Sequence, residues 1–357
     1  MMKANQKQFQ VISLSDMPNG AEQVLLKMAV VINGELIFLK RNNGSRLVIP
    51  SNIGSRFLSS NNILFGLLKL LVLIRAFKRD EVVMSTHPYL NAYLGFFKRL
   101  GWLRSKLIVR ECTSVFTRFS GLKKYLYSLI YKLGYPGVDL VICQTELMKE
   151  QLLRHNRFIN ESKTLVQPNP VDLPTLFEQA KKTLTFEENE LQFICAAGRL
   201  IPEKGFDILI KAFNIVHQKY PQLKLLILGE GRELGSLLEL VRELSLAKSV
   251  IFKGHIANPM PYYKKAKLCV ISSIKEGFPN TLLEMMALNK AIVTTLCAGG
   301  IDAIPDISKV AIKNVDALAN AMLNTIAGSN SAPGEAVMAY LDQRSPKIFA
   351  QSLLQAI

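Results

Sequence analysis

Histidine, tryptophan and paired cysteine are all scarce in this chain, and each shortage removes a class of chemistry. There are four histidines, His87, His155, His217 and His255, none forming a pair at helical spacing. With no Cys-x-x-Cys motif and no Asp-x-Asp, nothing in the sequence reads as a metal site, and none is expected. The Gly-x-x-x-x-Gly-Lys-Ser/Thr phosphate loop and the Gly-x-Ser-x-Gly nucleophile elbow are also missing, which argues against a P-loop enzyme and a serine hydrolase. One tryptophan and no basic-aromatic stripe leave little support for nucleic-acid binding. Cys112, Cys143, Cys195, Cys269 and Cys297 are odd in number and widely spaced, mostly inside apolar runs. They read as buried thiols of a reducing compartment. The longest apolar stretch, Ile63 to Ile74, is broken by Lys69 and is far short of the roughly 20 residues that span a bilayer. The opening MMKANQKQFQ is too polar for a signal peptide, so a cytoplasmic location is expected.

The chain has 357 residues with 49% apolar and 20% charged side chains, enough for two ordinary globular domains. Its formal net charge is +16, and the excess lies at one end. Residues 1–170 hold 24 basic and 10 acidic side chains, whereas residues 171–357 hold 20 and 18. Such asymmetry points to a partner carrying phosphate or anionic lipid, although a basic surface also aids solubility.

Short β-rich runs alternate with helical patterns through the second half. QFICAAG precedes the amphipathic stretch 206–220, then come LKLLILG, a helical stretch over 232–247, SVIFKGHI, KLCVISS, the helical TLLEMMALN and AIVTT. This is the signature of a doubly wound parallel α/β sheet. The first half offers QFQVISLS, ELIFLKR, EVVMSTH, KLIVREC and DLVICQT as strands of a second α/β domain. The expected layout is a basic domain over 1–172, a second domain over 173–330, and a helical segment over 331–357 that either caps the fold or packs back on the first. The proline-containing, then acidic, stretch near 172–190 reads as the hinge, with ligand expected between the domains.

Two segments of the second half carry polar groups suited to a phosphorylated sugar. In GRLIPEKG, Gly198, Arg199 and Lys204 sit where a strand turns into a helix, a place that favours anions. Solvated charges on a surface turn would give the same residues. In EGFPNTLLE, Gly277, Pro279 and Asn280 favour a tight turn, so that Asn280 or Thr281 opens a helix with Glu284 in its first turn and Glu276 on the loop. Carboxylates there can accept hydrogen bonds from sugar or ribose hydroxyls, or Glu284 can simply complement the helix dipole.

Taken together with LGEGRE (229–233 within it) and FKGHI, and in the same order, these segments resemble the retaining family-4 glycosyltransferases, the group 1 glycosyl transferases with two Rossmann-like domains facing a cleft (GT-B). The likeness is close from Gln192 to Pro305 and looser before it, through NGAEQV, KLIVREC, LVICQTELMKEQL and NPVD. It implies metal-independent transfer of a sugar, with retention, from a nucleotide diphosphate-sugar. Arg199 and Lys204 would steady the leaving diphosphate, Glu276 the donor sugar and Glu284 the ribose. Gly198, Gly229, Gly277, Phe278, Pro279, Asn280 and Thr281 would line the donor, Phe252, Lys253 and Gly254 would meet the base, and Gly20 would let an N-terminal loop reach the phosphates. Three features depart from the family pattern. Asn19 replaces the first glycine of that loop, Arg110 and Glu111 stand where many relatives place a histidine, and the stretch IDAIPDISKVAIKNVD is short. Glu111 is the expected catalytic group there, while His87 touches a ligand or packs as an ordinary histidine.

The apolar and basic stretch Leu64 to Arg79, with Lys98, Arg99, Arg104 and Lys106 nearby, suits an anionic membrane surface or a buried helix with a basic end. The expected function is therefore a cytoplasmic enzyme, peripheral on the inner face of the membrane. It would move sugar from a UDP-sugar, suggested by the GFPN form of the motif, to a lipid-diphosphate-linked saccharide in O-antigen or capsule synthesis, with no cofactor. A catalytically silent scaffold and a nucleotide-sugar epimerase are the alternatives.

Overall fold

In the computed structural model, residues 8–44, 46–328 and 334–356 are described. The chain forms two compact units, 1–170 with 346–357, and 171–345.

The first unit is a parallel sheet of seven strands: β1 (Phe9–Ser15), β2 (Glu35–Lys40), β3 (Ser55–Phe57), β4 (Val82–Thr86), β5 (Lys106–Arg110), β6 (Leu140–Cys143) and β7 (Thr164–Val166). Their order is β3-β2-β1-β4-β5-β6-β7. Strands such as VVMST and LVIC are buried along their whole length because helices cover both faces, which is why they read as continuous apolar runs. Helix α1 (Gly20–Ile32) packs over one face. The other is covered by α2 (Ile63–Leu73), α3 (Pro88–Arg99), α4 (Val115–Arg118), α5 (Gly121–Gly134) and α6 (Glu146–His155). The helices α3 and α5 approach closely through glycine: a Cβ on Gly95 would stand 2.3 Å from the carbonyl oxygen of Gly134.

The second unit begins with α7 (Leu173–Gln179) and α8 (Phe186–Glu190). Its sheet contains β8 (Phe193–Ala197), β9 (Lys224–Leu228), β10 (Val250–Gly254), β11 (Leu268–Ile271), β12 (Ile292–Thr295) and β13 (Ser308–Val310), in the order β10-β9-β8-β11-β12-β13, again parallel. Between the strands run α9 (Phe206–Lys219), α10 (Leu234–Glu243), α11 (Met260–Lys265) and α12 (Asn280–Leu288), followed by α13 (Val315–Gly328) and α14 (Glu335–Asp342). A last helix, α15 (Pro346–Gln355), returns to the first unit, where Phe349 and Leu353 pack with α1 residues and Gln167 Nε2 donates to the Phe349 carbonyl at 2.5 Å.

These boundaries differ from the expected ones in two places. The stretch near 172–190 is not an open hinge: Val171, Leu173, Leu176 and Ala180 are core residues of the second unit, so the apolar spacing of α7 outweighs Pro170 before it and Pro174 within it. The segment after 330 divides, with Val337 and Leu341 of α14 buried in the second unit and only α15 belonging to the first. The short strands β3, β7 and β13 have three residues each, too few to show a pattern in the sequence. Four of the cysteines are buried, and Cys112 is half-buried. Among the described residues, no helix is long and apolar enough to cross a membrane.

Candidate functional site

In an open parallel sheet, the place where strand order reverses leaves a crevice beyond the carboxyl ends of two strands, and ligands bind there. The second unit reverses between β8 and β11. The loop after β8 is GRLIPEKG and the loop after β11 is SSIKEGFPN, so the two segments singled out in the sequence flank one crevice. Lys204 Nζ donates to Glu276 Oε1, and Ser273 Oγ donates to the same oxygen at 2.8 Å. The backbone locks this pair from both sides. Ser272 Oγ donates to the Lys204 carbonyl at 2.9 Å, Ile274 N to the Glu203 carbonyl at 2.8 Å, and Glu276 N to the Cys297 carbonyl at 2.9 Å. Burial pushes the Cys297 thiol up to about 12, so it stays protonated beside the pair. The lysine and glutamate side chains are 18% and 17% exposed, accessible to a ligand yet poorly solvated.

Gly205 makes the turn possible. It adopts φ +60°, and a Cβ there would lie 2.4 Å from the Ser272 carbonyl oxygen. Gly198 and Gly229 come equally close, since a Cβ on Gly229 would overlap the Gly198 carbonyl. Gly229 N donates to the Gly254 carbonyl at 2.7 Å, which brings Gly198, Gly229 and Gly254 together. Arg199 is exposed on the same loop.

Helix α12 starts at Asn280 with Pro279 as its N-cap and no side-chain cap bond. Asn280 opens the helix as expected, but Glu284, the fifth helical residue, lies beyond the first turn. Phe278 is buried, with the Arg344 guanidinium 5.5 Å from its ring centroid, so it supports the loop rather than facing solvent. The positive end of a helix dipole attracts anions, and here it follows directly from Glu276 and Gly277.

At β10, Phe252 and Gly254 are half-buried, while the Lys253 ammonium is engaged elsewhere. Lys253 Nζ lies 2.7 Å from Glu188 Oε1, which also accepts from Tyr262 Oη at 2.6 Å. Burial alone would raise the Glu188 carboxyl, but the lysine, the tyrosine and the Thr185 amide outweigh it and hold the group at about 2. Glu188 was not legible as a site neighbour, because its capping box with Thr185 accounts for it locally.

The first unit reverses between β1 and β4. Here His87 Nε2 lies 2.5 Å from Glu22 Oε1, and Ser13 Oγ donates to that oxygen at 3.3 Å. Glu22 is 2% exposed with its second oxygen buried and unpartnered, and His87 adopts φ +79° before α3. A non-glycine residue held at such φ is strained, and strain of this kind gathers where a side chain must be aimed. Nothing in the sequence joins residues 22 and 87, since no spacing rule relates positions on two different crossovers. Gly20 opens α1, two residues before Glu22, and Asn19 occupies the extended N-cap without a side-chain cap bond.

Glu111 lies elsewhere than expected. It is 2% exposed, and its carboxylate accepts from Tyr131 Oη at 2.8 Å and from Tyr135 Oη. Ser85 and Asn91 extend this buried network to the Tyr135 hydroxyl. Burial pushes the Glu111 carboxyl up, against the pull of the tyrosines and Arg110. Arg110, 1% exposed and lowered to about 10 by burial, donates to Asn169. Both residues therefore fasten β5 to its neighbours, and the imidazole at the β1/β4 reversal comes from His87. Among the described residues, no group of three or more His, Cys, Asp or Glu could hold a metal ion.

Residues 192–327 match the family described as glycosyl transferases group 1. An uncharacterised glycosyltransferase of Methanocaldococcus jannaschii is 31% identical over 243 residues, 65% of this chain and 59% of that one. The N-acetylgalactosamine-N,N'-diacetylbacillosaminyl-diphospho-undecaprenol 4-alpha-N-acetylgalactosaminyltransferase of Campylobacter jejuni is 30% identical over 247 residues, 66% of this chain and 65% of that one. The chain thus spans less than two thirds of the length of these curated relatives. Anabaena HepE, solved in complex with UDP and glucose, superposes with a TM-score of 0.79 over 98% of both chains at 17% identity. That likeness concerns the fold, two Rossmann-like α/β units of the GT-B glycosyltransferases.

Proposed function

We propose that this protein is a retaining, metal-independent glycosyltransferase that uses a UDP-sugar and a lipid-diphosphate-linked saccharide acceptor in surface polysaccharide synthesis, working peripherally at the inner face of the membrane. The observation that carries the reading is the Lys204–Glu276 pair at the β8/β11 reversal, beside the start of α12. In the reaction, the bond between the anomeric carbon and the diphosphate oxygen breaks with its electrons on the phosphate. The acceptor oxygen bonds to that carbon on the same face, and its proton passes to the leaving diphosphate. Lys204 and Arg199 meet the charge as it develops, and cations already in place need no reorganisation at that moment. Glu276 accepts from donor-sugar hydroxyls and Glu284 from the ribose, while backbone around Phe252 to Gly254 meets the base. In the first unit, Glu22 orients His87 toward a substrate hydroxyl. The HepE complex with UDP and the Campylobacter enzyme's undecaprenol-linked acceptor support the donor and acceptor classes.

The test is to incubate the protein with a panel of nucleotide-sugars in chelator, then with extracted undecaprenyl-diphosphate saccharides. Donor-dependent extension of one lipid-linked saccharide, undiminished by chelator, is the expected result. Binding of a UDP-sugar without any transfer would leave only a nucleotide-binding scaffold.

A further inference from the structure

The helical layer made by α2, α3 and α5 carries more exposed apolar side chain than a solvated face needs. On α2, Leu64, Phe65, Leu68 and Val72 are 52–73% exposed while Gly66 and Leu70 of the same helix are buried. On α5, Leu122, Tyr125, Leu126, Leu129 and Leu133 are 45–74% exposed. Their spacing of three and four residues places them along one side of that helix, opposite Tyr131 and Gly134, which face the core. These helices are neighbours of α3: Tyr93 Oη donates to the Leu67 carbonyl at 2.8 Å, and Arg99 donates to the Leu133 carbonyl at 2.7 Å. Phe96 and Leu100, at the end of α3, are also exposed. Contiguous apolar surface on this scale marks a docking face.

The charge around it selects the occupant. None of α2, α3 and α5 contains an aspartate or glutamate, and residues 61–138 hold 13 basic against 3 acidic side chains, of which Glu111 is buried. Exposed Lys69, Lys123 and Lys132 stand among the exposed leucines, and Lys123 lies 4.0 Å over the Phe119 ring with its stem along apolar surface. Apolar side chains that enter the acyl boundary, ringed by cations at headgroup depth, match an anionic bilayer.

We infer that the outer face of α2, α3 and α5 is the surface by which this protein docks on an anionic lipid bilayer, α5 lying in the interface. The inference rests on the membrane-peripheral reading above and names the part of the molecule that carries it. The test is flotation of the full chain with vesicles of phosphatidylglycerol and phosphatidylcholine, compared with phosphatidylcholine alone. Leu122→Glu with Tyr125→Glu places carboxylates in the opening turns of α5, where the helix dipole tolerates them, so folding is retained. This double variant is expected to lose binding about tenfold or more. Lys123→Glu with Lys132→Glu should lose about tenfold on anionic vesicles and little on neutral ones. UDP binding should stay unchanged in both, and Leu238→Glu on α10 should bind vesicles as the unaltered protein does. If the unaltered protein ignores vesicles, the peripheral reading falls and the inference with it. If it binds and the α5 variants bind equally, the reading stands and the assigned face is wrong. Loss of self-association in the α5 variants, with vesicle binding intact, would make the face a contact between copies.

Discussion

The two units wind alike, and each holds a carboxylate against a basic side chain where its strand order reverses, Glu22 with His87 and Glu276 with Lys204. They achieve this differently. In the second unit both partners sit on loops shaped by glycine and proline, and the pair is partly open to solvent. In the first, the carboxylate is buried at the start of α1, and the imidazole is aimed by a strained backbone at the start of α3. A site built on turn chemistry leaves a local motif, whereas one built by tertiary placement leaves two unremarkable residues 65 positions apart. In the function proposed above the labour is divided, with a lysine suited to a diphosphate in one unit and an oriented imidazole suited to a hydroxyl in the other.

The sharpest way to break that division is Lys204→Ala, which should lower sugar transfer about 10³-fold by removing a cation from the leaving group. Steady-state kinetics with a UDP-sugar and lipid acceptor would measure it. Next comes His87→Ala, expected to slow transfer about 10²-fold while UDP affinity, read by calorimetry, is unchanged. If it weakens UDP as much as transfer, the two pairs do not have separate tasks. Glu284→Ala should weaken UDP binding about tenfold with a smaller effect on turnover, as expected for a lost charged hydrogen bond to ribose.

Two smaller effects sharpen the structural side. His87→Gly should be about 1 kcal/mol more stable than His87→Ala in denaturant titration, because glycine accepts φ +79° without strain. Equal stability would show that the backbone is not strained there. The carboxyl of Glu188 is held near 2, below the unfolded value of about 4.3. Its stabilising contribution is therefore complete above about pH 5 and lost as the pH falls toward 2. Thermal melts of Glu188→Gln should fall below those of the unaltered protein at neutral pH and converge with them in that acid window.

Much of the fold was legible because strands buried on both faces read as apolar runs, and helices such as α9 carry a clear stripe. The three-residue strands were not, since three residues cannot establish a period. Core helix α7 reads as a linker in the sequence because Pro170 and Pro174 are the louder signal, although Pro174 sits in the first turn where no amide bond is lost. For the site, Lys204, Glu276 and the clustered glycines could be found because backbone turns demand specific residues at fixed offsets. The pairing of His87 with Glu22 and that of Lys253 with Glu188 could not, as only the folded sheet brings these partners together. Glu111 differs for another reason: it stands where the family resemblance places a histidine, but two tyrosines, one from α5 and one from the turn following it, enclose its carboxylate.

In the proposed function, Lys204 and Glu276 hold a nucleotide diphosphate-sugar at the β8/β11 reversal. Slow release of UDP from a panel of UDP-sugars, followed in chelator and without acceptor, tests this placement. One UDP-sugar is expected to bind and to be hydrolysed by the unaltered protein, and Lys204→Ala is expected not to hydrolyse it. Failure of every nucleotide-sugar to bind, or hydrolysis undiminished in Lys204→Ala, would contradict it.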